Sequence, residues 1–152
     1  LFFQPTHALM HAEAAHRGSG MIPFAAERRL LVELVAETNA KDPGPPPIDL
    51  WDFCLYHPLH CEPLPLDDPQ DGRIAHWRDL GHFVPEVGGE MLAMMLGWPP
   101  ARPEWAGIGR RLDAAVLDDH LAEIAAGYQR YLSVDGARDV AWKEEIKAKA
   151  KR

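Results

Sequence analysis

The chain has 152 residues, of which 47% are hydrophobic and 26% are charged, and its formal net charge is -7. This length and mixture fit one globular domain and exclude a wholly disordered, collagen-like or coiled-coil chain. The acidic balance argues against nucleic acid as a partner, because phosphate contacts need clustered cations.

The first half of the chain predicts strands that alternate with helices. An apolar run at Leu1–Phe3 is typical of the end of a buried strand, which Pro5 stops. Residues 6–17 predict a short helix or an irregular turn, and the apolar spacing from Phe24 to Thr38 predicts a helix. After a Pro-rich loop, the β-forming residues of Ile48–Cys54 predict a second strand.

The second half predicts helices separated by Pro-rich connections. Residues 56–74 form a long polar loop, for which we expect little burial and fast amide exchange. The remaining elements, in order, are a turn at 76–83, a helix at Pro85–Leu96 that Gly97 ends, a connection at 98–109, and helices at Leu112–Leu132 and Ser133–Ala150.

These elements predict an α/β layered fold for residues 1–97, followed by a Pro-rich connection and a helical extension at 98–152. Only two strands are visible in the pattern, and two strands cannot form a covered parallel sheet. The chain also starts at Leu1, inside an apolar run, rather than at Met. We therefore expect an upstream segment or a companion chain to complete the sheet, and we expect the isolated chain to associate.

The segment HWRDLGHF at 76–83 carries the pair most suited to catalysis. It places Asp79 and His82 three residues apart, on a turn before a helix. A carboxylate that accepts the Nδ1–H of an imidazole fixes its tautomer, and Nε2 can then take a proton from a nucleophile. A bare D-x-x-H is short and is more typical of surface capping, so the spacing alone leaves both interpretations open.

The wider context resembles the carboxy-terminal block of SGNH (GDSL-type) hydrolases, in a branch associated with the bacterial envelope. DLGHFVPEVGGEMLAMMLG at 79–97 is similar to that branch's D-x-x-H-[FY]-x-x-x-x-G-x-x-[ML]-L block. FFQPTHALMHAE at 2–13 resembles its strand that ends in Pro and His, and IDLWDFCLYHPLHCEPLP at 48–65 resembles its strand and loop that end in E-P. The carboxy-terminal helices also resemble that branch, so the resemblance covers nearly the whole chain.

The resemblance implies the carboxy-terminal part of a three-layer α/β/α (flavodoxin-like) fold with extra helices. It implies that Asp79 orients the imidazole and that His82 is the general base. It also implies a periplasmic or envelope location and a small-molecule or glycan ester as substrate, with no cofactor. The family's G-D-S block is missing: Ser19 and Ser133 are the only serines, and Asn39 is the only asparagine.

Two further groups of polar residues have competing interpretations. His57, His60, Cys61 and Glu62 lie within six residues, which is conceivable as a zinc site but more typical of a polar loop beside a cleft. If the hydrolase interpretation holds, His57 and His60 help to shape the substrate pocket. The resemblance also places His7 at the carboxyl end of a strand, near the cleft where α/β folds bind ligands.

Two cysteines form neither a disulfide framework nor a C-x-x-C pattern, so a disulfide and free thiols are both compatible with the sequence. The leading hypothesis is a serine-type esterase or O-acyltransferase, to which this chain contributes the Asp/His half of the triad. The alternatives are a non-catalytic fragment that binds a partner, and a metal-binding module.

Overall fold

The computed structural model describes residues 1–10, 24–42, 44, 46–67 and 74–150, and shows a mixed α/β fold. In chain order the elements are β1 (Phe2–Phe3), α1 (Phe24–Lys41), β2 (Leu50–Asp52), β3 (Trp77–Asp79), β4 (His82–Phe83), α2 (Pro85–Met95), β5 (Arg110–Leu112), α3 (Leu117–Arg130) and α4 (Ala137–Ala150). A 3₁₀ turn at Pro103–Trp105 precedes β5, and a π-helical turn at Tyr131–Asp135 joins α3 to α4.

The strands form two small sheets. In the first, β1 pairs with β2 in parallel, and β5 pairs with the other edge of β2 in antiparallel orientation. The register places Phe3 opposite Asp52 and Leu50 opposite Leu112. The second sheet is the β3–β4 hairpin. The parallel pair brings the carboxyl ends of β1 and β2 to the same edge, which is where α/β folds place ligands.

Hydrophobic residues on and beside the three-stranded sheet belong to different clusters, because successive side chains of a strand point to opposite faces. On one face Leu50 packs with Val32 and Val35 of α1. On the other face Phe53, which follows β2, packs in a cluster that includes Val87 and Met91 of α2. A third cluster joins α3 to the loop after β2 through Tyr56, Ile124 and Tyr128. In the part of the chain that the structure describes, no helix is long and apolar enough to cross a membrane.

Four predicted elements are confirmed, with boundaries that differ by a few residues. The strand at Leu1–Phe3 appears as β1, and the strand at Ile48–Cys54 appears as the shorter β2. The helix predicted at Phe24–Thr38 extends to Lys41, and the helix predicted at Pro85–Leu96 ends at Met95. Gly97, at φ +70°, follows as predicted. Of the segment 6–17, residues 6 and 7 have no regular secondary structure, residues 8–10 are helical, and residues 11–17 lie outside the described residues.

The helix predicted at Leu112–Leu132 is wrong at its start. Arg110–Leu112 is a strand, and α3 begins only at Leu117. The reason is Asp113, whose Oδ1 accepts hydrogen bonds from the backbone N–H groups of Ala115 and Val116, at 2.8 and 3.1 Å. This Asx-type turn competes with the helix and lets Leu112 pair with β2.

Two expectations about burial are also wrong. Leu1 and Phe2 are 65% and 50% exposed, because β1 is an edge strand of the sheet. In the loop predicted at 56–74, the described residues include Leu59, His60 and Leu64, all buried. Leucines from this loop enter two different core clusters, so the loop is part of the core and low burial does not hold for it. Residues 68–73 of the loop lie outside the described residues.

Two helical glycines give opposite expected effects when they are replaced by alanine. A Cβ at Gly127 in α3 would lie 2.7 Å from Tyr56 Cβ, whereas a Cβ at Gly89 in α2 would meet nothing within 4 Å. We expect Gly127→Ala to lower the free energy of unfolding by about 1–3 kcal/mol through overpacking. Gly89→Ala should raise it by up to about 1 kcal/mol through helix propensity. Urea unfolding measures both, and a stabilised Gly127→Ala would contradict the close packing.

Candidate functional site

The centre of the site is a hydrogen-bonded pair between Asp79 and His82. His82 Nδ1 lies 2.9 Å from Asp79 Oδ1 and 2.8 Å from Oδ2. Both side chains are exposed, His82 by 72% and Asp79 by 62%. Because the carboxylate accepts the Nδ1 proton, the lone pair of Nε2 is directed away from Asp79 and is available to accept a proton.

The turn between the two strands holds the carboxylate of Asp79 in place. The backbone N–H of Gly81 donates to Asp79 Oδ1 at 2.8 Å. That hydrogen bond, followed by the one from His82, lowers the pKa of Asp79 below its usual value. The carboxylate is therefore ionised near neutral pH and suited to orienting an imidazole. The expectation that this hairpin is a simple turn is wrong, because Trp77–Asp79 and His82–Phe83 pair as two strands.

The hairpin is fixed to the core by Trp77. This side chain is buried, and its indole Nε1 donates to the carbonyl oxygen of Leu59 at 3.0 Å. At the other strand, the backbone N–H of Val84 donates to the carbonyl oxygen of His76 at 3.0 Å. The exposed Asp79–His82 pair therefore projects from a base that cannot shift without breaking core contacts.

Two further hydrogen bonds attach the turn to the chain that leaves β1. The backbone N–H of His7 donates to the carbonyl oxygen of Leu80 at 2.9 Å. Gln4 Nε2 donates to the carbonyl oxygen of Gly81 at 3.3 Å. Both contacts place the Asp79–His82 turn at the carboxyl end of β1.

Glu62 joins the loop after β2 to the segment that enters β3. Its carboxylate accepts hydrogen bonds from the backbone N–H groups of Ala75 and His76, at 2.6 and 3.0 Å, and its Oε2 lies 2.9 Å from His76 Nδ1. Sequence reasoning considered Glu62 as a member of a ligand cluster and as part of the E-P dipeptide of the resemblance, and it missed this positioning role.

His7 lies beneath the site and does not open onto it. The ring is completely buried, its Nε2 donates to the carbonyl oxygen of Glu62 at 2.6 Å, and its Nδ1 accepts from the backbone N–H of Leu9 at 3.2 Å. Burial lowers its pKa, although the hydrogen bond to Glu62 and the charge of Asp139 act in the opposite direction. Substrate binding by His7 stays a prediction, and this geometry favours a structural role.

His57 and His60 also have structural contacts. His60 is buried against the ring of Trp77, with 5.9 Å between the ring centroids. His57 is half-buried, and its Nδ1 accepts from the backbone N–H of Leu59 at 3.2 Å. His57 lines a cavity with Tyr56, Gly127 and other residues of α3, and this cavity does not include Asp79 or His82. A substrate-binding role for His57 and His60 stays a prediction.

The described part of this loop lacks the geometry of a metal site. Within the described ranges, no group of three or more His, Cys, Asp or Glu side chains could hold a metal ion. Both cysteines are free thiols, and burial raises the pKa of Cys54 and of Cys61 to about 12. Neither thiol is therefore an activated nucleophile at neutral pH.

None of the described residues is a serine positioned to act as the nucleophile for His82. Ser133 lies in the turn before α4, where its hydroxyl donates to the carbonyl oxygen of Gln129 at 2.8 Å. Ser19 lies outside the described residues.

The side chain of Asn39, the asparagine of the chain, exchanges two hydrogen bonds with the backbone of Ile48, at 3.0 and 2.8 Å, so it anchors the end of α1.

Sequence reasoning missed a buried charged network that supports the sheet beside the site. Asp52 Oδ2 accepts from Arg28 Nε at 2.8 Å and lies 3.0 Å from His120 Nε2. All three side chains are fully or almost fully buried. Arg28 also stacks on Phe3 and Phe24, so the network joins α1, the sheet and α3. The alternation of apolar and polar residues along β2 was visible in the sequence. The partners of Asp52 were not, because Arg28 lies 24 residues before it and His120 lies 68 residues after it.

The buried His7 leads to a prediction about pH and stability. Its folded pKa lies below the ordinary value of 6.5, so the unfolded chain binds a proton that the folded chain excludes. Stability should therefore fall as pH drops from about 6.5 toward the lower folded pKa, by at most about 1.4 kcal/mol per pH unit for this group. Burial lowers the pKa of His57 as well, which adds to the same trend.

Thermal unfolding at several pH values between 7.5 and 5 measures this effect. His7→Gln should be less stable than the parent chain at pH 7.5, because it loses the contact with Glu62. Its melting temperature should nevertheless fall less steeply with acidification. Equal slopes for the parent and the variant would contradict a neutral, buried His7.

Comparison of the chain with protein-family models, with curated proteins and with solved structures gives no match. A family assignment therefore rests on the residue pattern and on the geometry of the Asp79–His82 site, and it is a proposal.

Proposed function

We propose that this chain carries the acid–base half of a serine-type ester hydrolase or O-acyltransferase of the SGNH type. The observation that carries the proposal is the hydrogen bond between His82 Nδ1 and the Asp79 carboxylate, at 2.8 Å, on a turn attached to the carboxyl end of β1. In this interpretation a serine from an upstream segment or a companion chain completes the site.

The chemistry follows from the orientation of the imidazole. His82 Nε2 takes the proton of the serine hydroxyl as its oxygen attacks the ester carbonyl carbon, and the Asp79 carboxylate stabilises the imidazolium. The imidazolium then gives this proton to the departing alcohol oxygen, which leaves an acyl-serine. Water or the hydroxyl of an acceptor, deprotonated by Nε2, then attacks the acyl carbonyl carbon, and the imidazolium gives its proton to the serine oxygen as the acyl–serine bond breaks.

The fold supports the proposal without carrying it alone. Helices contribute to separate hydrophobic clusters beside a sheet whose first two strands are parallel. A three-layer α/β/α domain would need further strands beside β1, which is an edge strand with exposed Leu1 and Phe2. The segment that supplies the serine would occupy that edge. An ester substrate of the bacterial envelope and a location there follow from the same proposal.

A fluorophosphonate probe tests the proposal, because it reacts with a serine that an adjacent base has activated. The experiment uses the full-length protein, or this chain together with its companion. We expect stoichiometric labelling of one serine in the parent protein and its loss in His82→Ala. The matched control is Glu86→Gln, which alters an exposed carboxylate in the first turn of α2 and should label like the parent.

A different labelling result would favour the alternative of a non-catalytic binding module. The exposure of both Asp79 and His82 is compatible with a surface that meets another protein. If the complete protein shows no labelling, or if His82→Ala is labelled as fast as the parent, the hydrolase proposal is wrong.

A further inference from the structure

A groove of about 350 Å³ has Asp79 among its lining residues, and most of that lining is apolar. The described residues that form its walls are Leu64, Pro65, Leu66, Ile74, Leu80 and Trp142, with Asp79 as the charged residue among them. The volume lies at the lower end of the range for small-molecule sites.

One wall of the groove comes from α4. This helix lies in the segment 98–152, which the sequence predicts to be an extension of the α/β unit. Trp142 lies on this helix, and three contacts hold the helix in place. Asp139 Oδ2 accepts from the backbone N–H of Leu64 at 3.1 Å, Lys143 Nζ donates to the carbonyl oxygen of Leu9 at 3.2 Å, and Arg138 pairs with Asp67 at 2.9 Å. The helical extension is therefore part of the candidate site.

The chemistry of the lining decides what the groove can accept. A sugar would bring many hydroxyl groups that need hydrogen-bond partners, and apart from Asp79 and the indole N–H of Trp142 the described side chains of the walls are apolar. The Asp79 carboxylate already accepts from Gly81 and His82. A buried hydroxyl without a partner is costly, and an anionic ligand would be repelled by the Asp79 carboxylate. A neutral hydrocarbon chain avoids both costs.

We propose that this groove binds the linear hydrocarbon chain of an ester substrate whose ester group lies at the Asp79–His82 pair. This inference rests on the proposed function and adds a substrate class to it, namely neutral esters with a chain of medium length. Trp142 is the residue that closes the groove from α4 and is only 39% exposed, so a bound chain would pack against its indole ring.

Binding can be measured apart from catalysis with methyl ketones, which resemble esters but are not hydrolysed. We would titrate the full-length protein with 2-butanone, 2-hexanone, 2-octanone and 2-decanone and follow the indole N–H signals of its tryptophans by NMR. The signal of Trp142 should shift in a saturable way. Affinity should rise about fourfold for each added methylene until the groove is full.

Two variants of one residue and a matched control locate the binding site. Trp142→Ala should weaken the binding of 2-octanone about tenfold, whereas Trp142→Phe should keep most of it. Trp98→Ala is the control, because Trp98 is 62% exposed and is not part of the groove lining. It should bind 2-octanone like the parent protein.

Paired esters then identify the part of the substrate that enters the groove. Ethyl octanoate carries the chain on its acyl side, and octyl acetate carries it on its alcohol side. The groove should favour one of them over ethyl acetate, and Trp142→Ala should remove that preference.

The outcomes separate this inference from the proposed function. Chain-length-dependent ketone binding without ester turnover would support the groove and contradict the hydrolase proposal. Ester turnover without chain-length dependence, or with no effect of Trp142→Ala, would support the hydrolase and overturn the groove. Ketones that shift no Trp142 signal, because a polypeptide segment of the complete protein fills the groove, would also overturn it.

Discussion

Substitution of His82 by alanine in the full-length protein is expected to lower kcat/KM for ester hydrolysis by about 10⁴- to 10⁶-fold. Asp79→Asn should cost about 10⁴-fold, because the amide presents an N–H group to His82 Nδ1 and holds the tautomer that cannot accept a proton at Nε2. Both side chains are largely exposed, so neither change should unfold the protein. Steady-state kinetics and circular dichroism measure the two effects separately.

The pair should also behave as a unit. Once His82 is alanine, the additional change Asp79→Asn should lower kcat/KM little further, because the carboxylate acts only through the imidazole. Glu86→Gln is again the control for a general loss of negative charge in this region. Independent, multiplicative effects of the two substitutions would show that Asp79 and His82 do not share one catalytic step.

The largest stability effect is expected at Asp52. Asp52→Ala should lower the free energy of unfolding by about 3–5 kcal/mol, because it leaves the Arg28 guanidinium buried without its carboxylate partner. The change also removes the acceptor of the Cys54 backbone N–H, at 2.8 Å, and of His120 Nε2. The loss therefore reaches α1, the sheet and α3 together. Urea unfolding of the parent chain and the variant measures it.

A surface ion pair provides the matched control. Arg29 and Asp118 join the same two helices at 2.7 Å, but their side chains are 51% and 81% exposed. Asp118→Ala should change the free energy of unfolding by less than about 1 kcal/mol. If Asp52→Ala were as mild as Asp118→Ala, the buried network would not be a determinant of the fold.

The same network predicts how the protein responds to acid. Burial disfavours the charged form of Asp52, but the hydrogen bonds from His120 and Arg28 outweigh it, so the pKa of Asp52 lies below its usual value of 3.8. A lowered carboxylate pKa contributes stability that is present above the unfolded pKa and is lost as pH falls through the folded pKa. Acid unfolding below about pH 4 should therefore depend on Asp52, beyond the earlier loss due to His7.

Local patterns determined the parts of this protein that depend on near neighbours in the sequence. The apolar spacing of α1 and of α2, with Pro85 at the start and Gly97 after the end of α2, predicted both helices. The three-residue spacing of Asp79 and His82 indicated their hydrogen bond as one of two open interpretations. Each of these features is stabilised by contacts within a few residues, so the sequence alone contains the information.

The tertiary structure decided everything that depends on distant partners. The residues next to Leu112 in the sequence fit either a helix or a strand. Only the pairing of Leu112 with Leu50 places it in β5. The prolines and polar residues of the loop after β2 predicted an exposed loop. The burial of Leu59 and Leu64 depends on core clusters that are formed by distant parts of the chain.

The candidate site shows the same division. The sequence by itself identified Asp79 and His82 as the candidate pair. It also showed that this chain has no recognisable motif for the nucleophile. Only the tertiary structure attached the pair to the carboxyl end of β1 and brought Trp142 of α4 beside Asp79. The physical reason is that backbone hydrogen bonds and apolar contacts across long sequence separations leave no periodic signal in the chain.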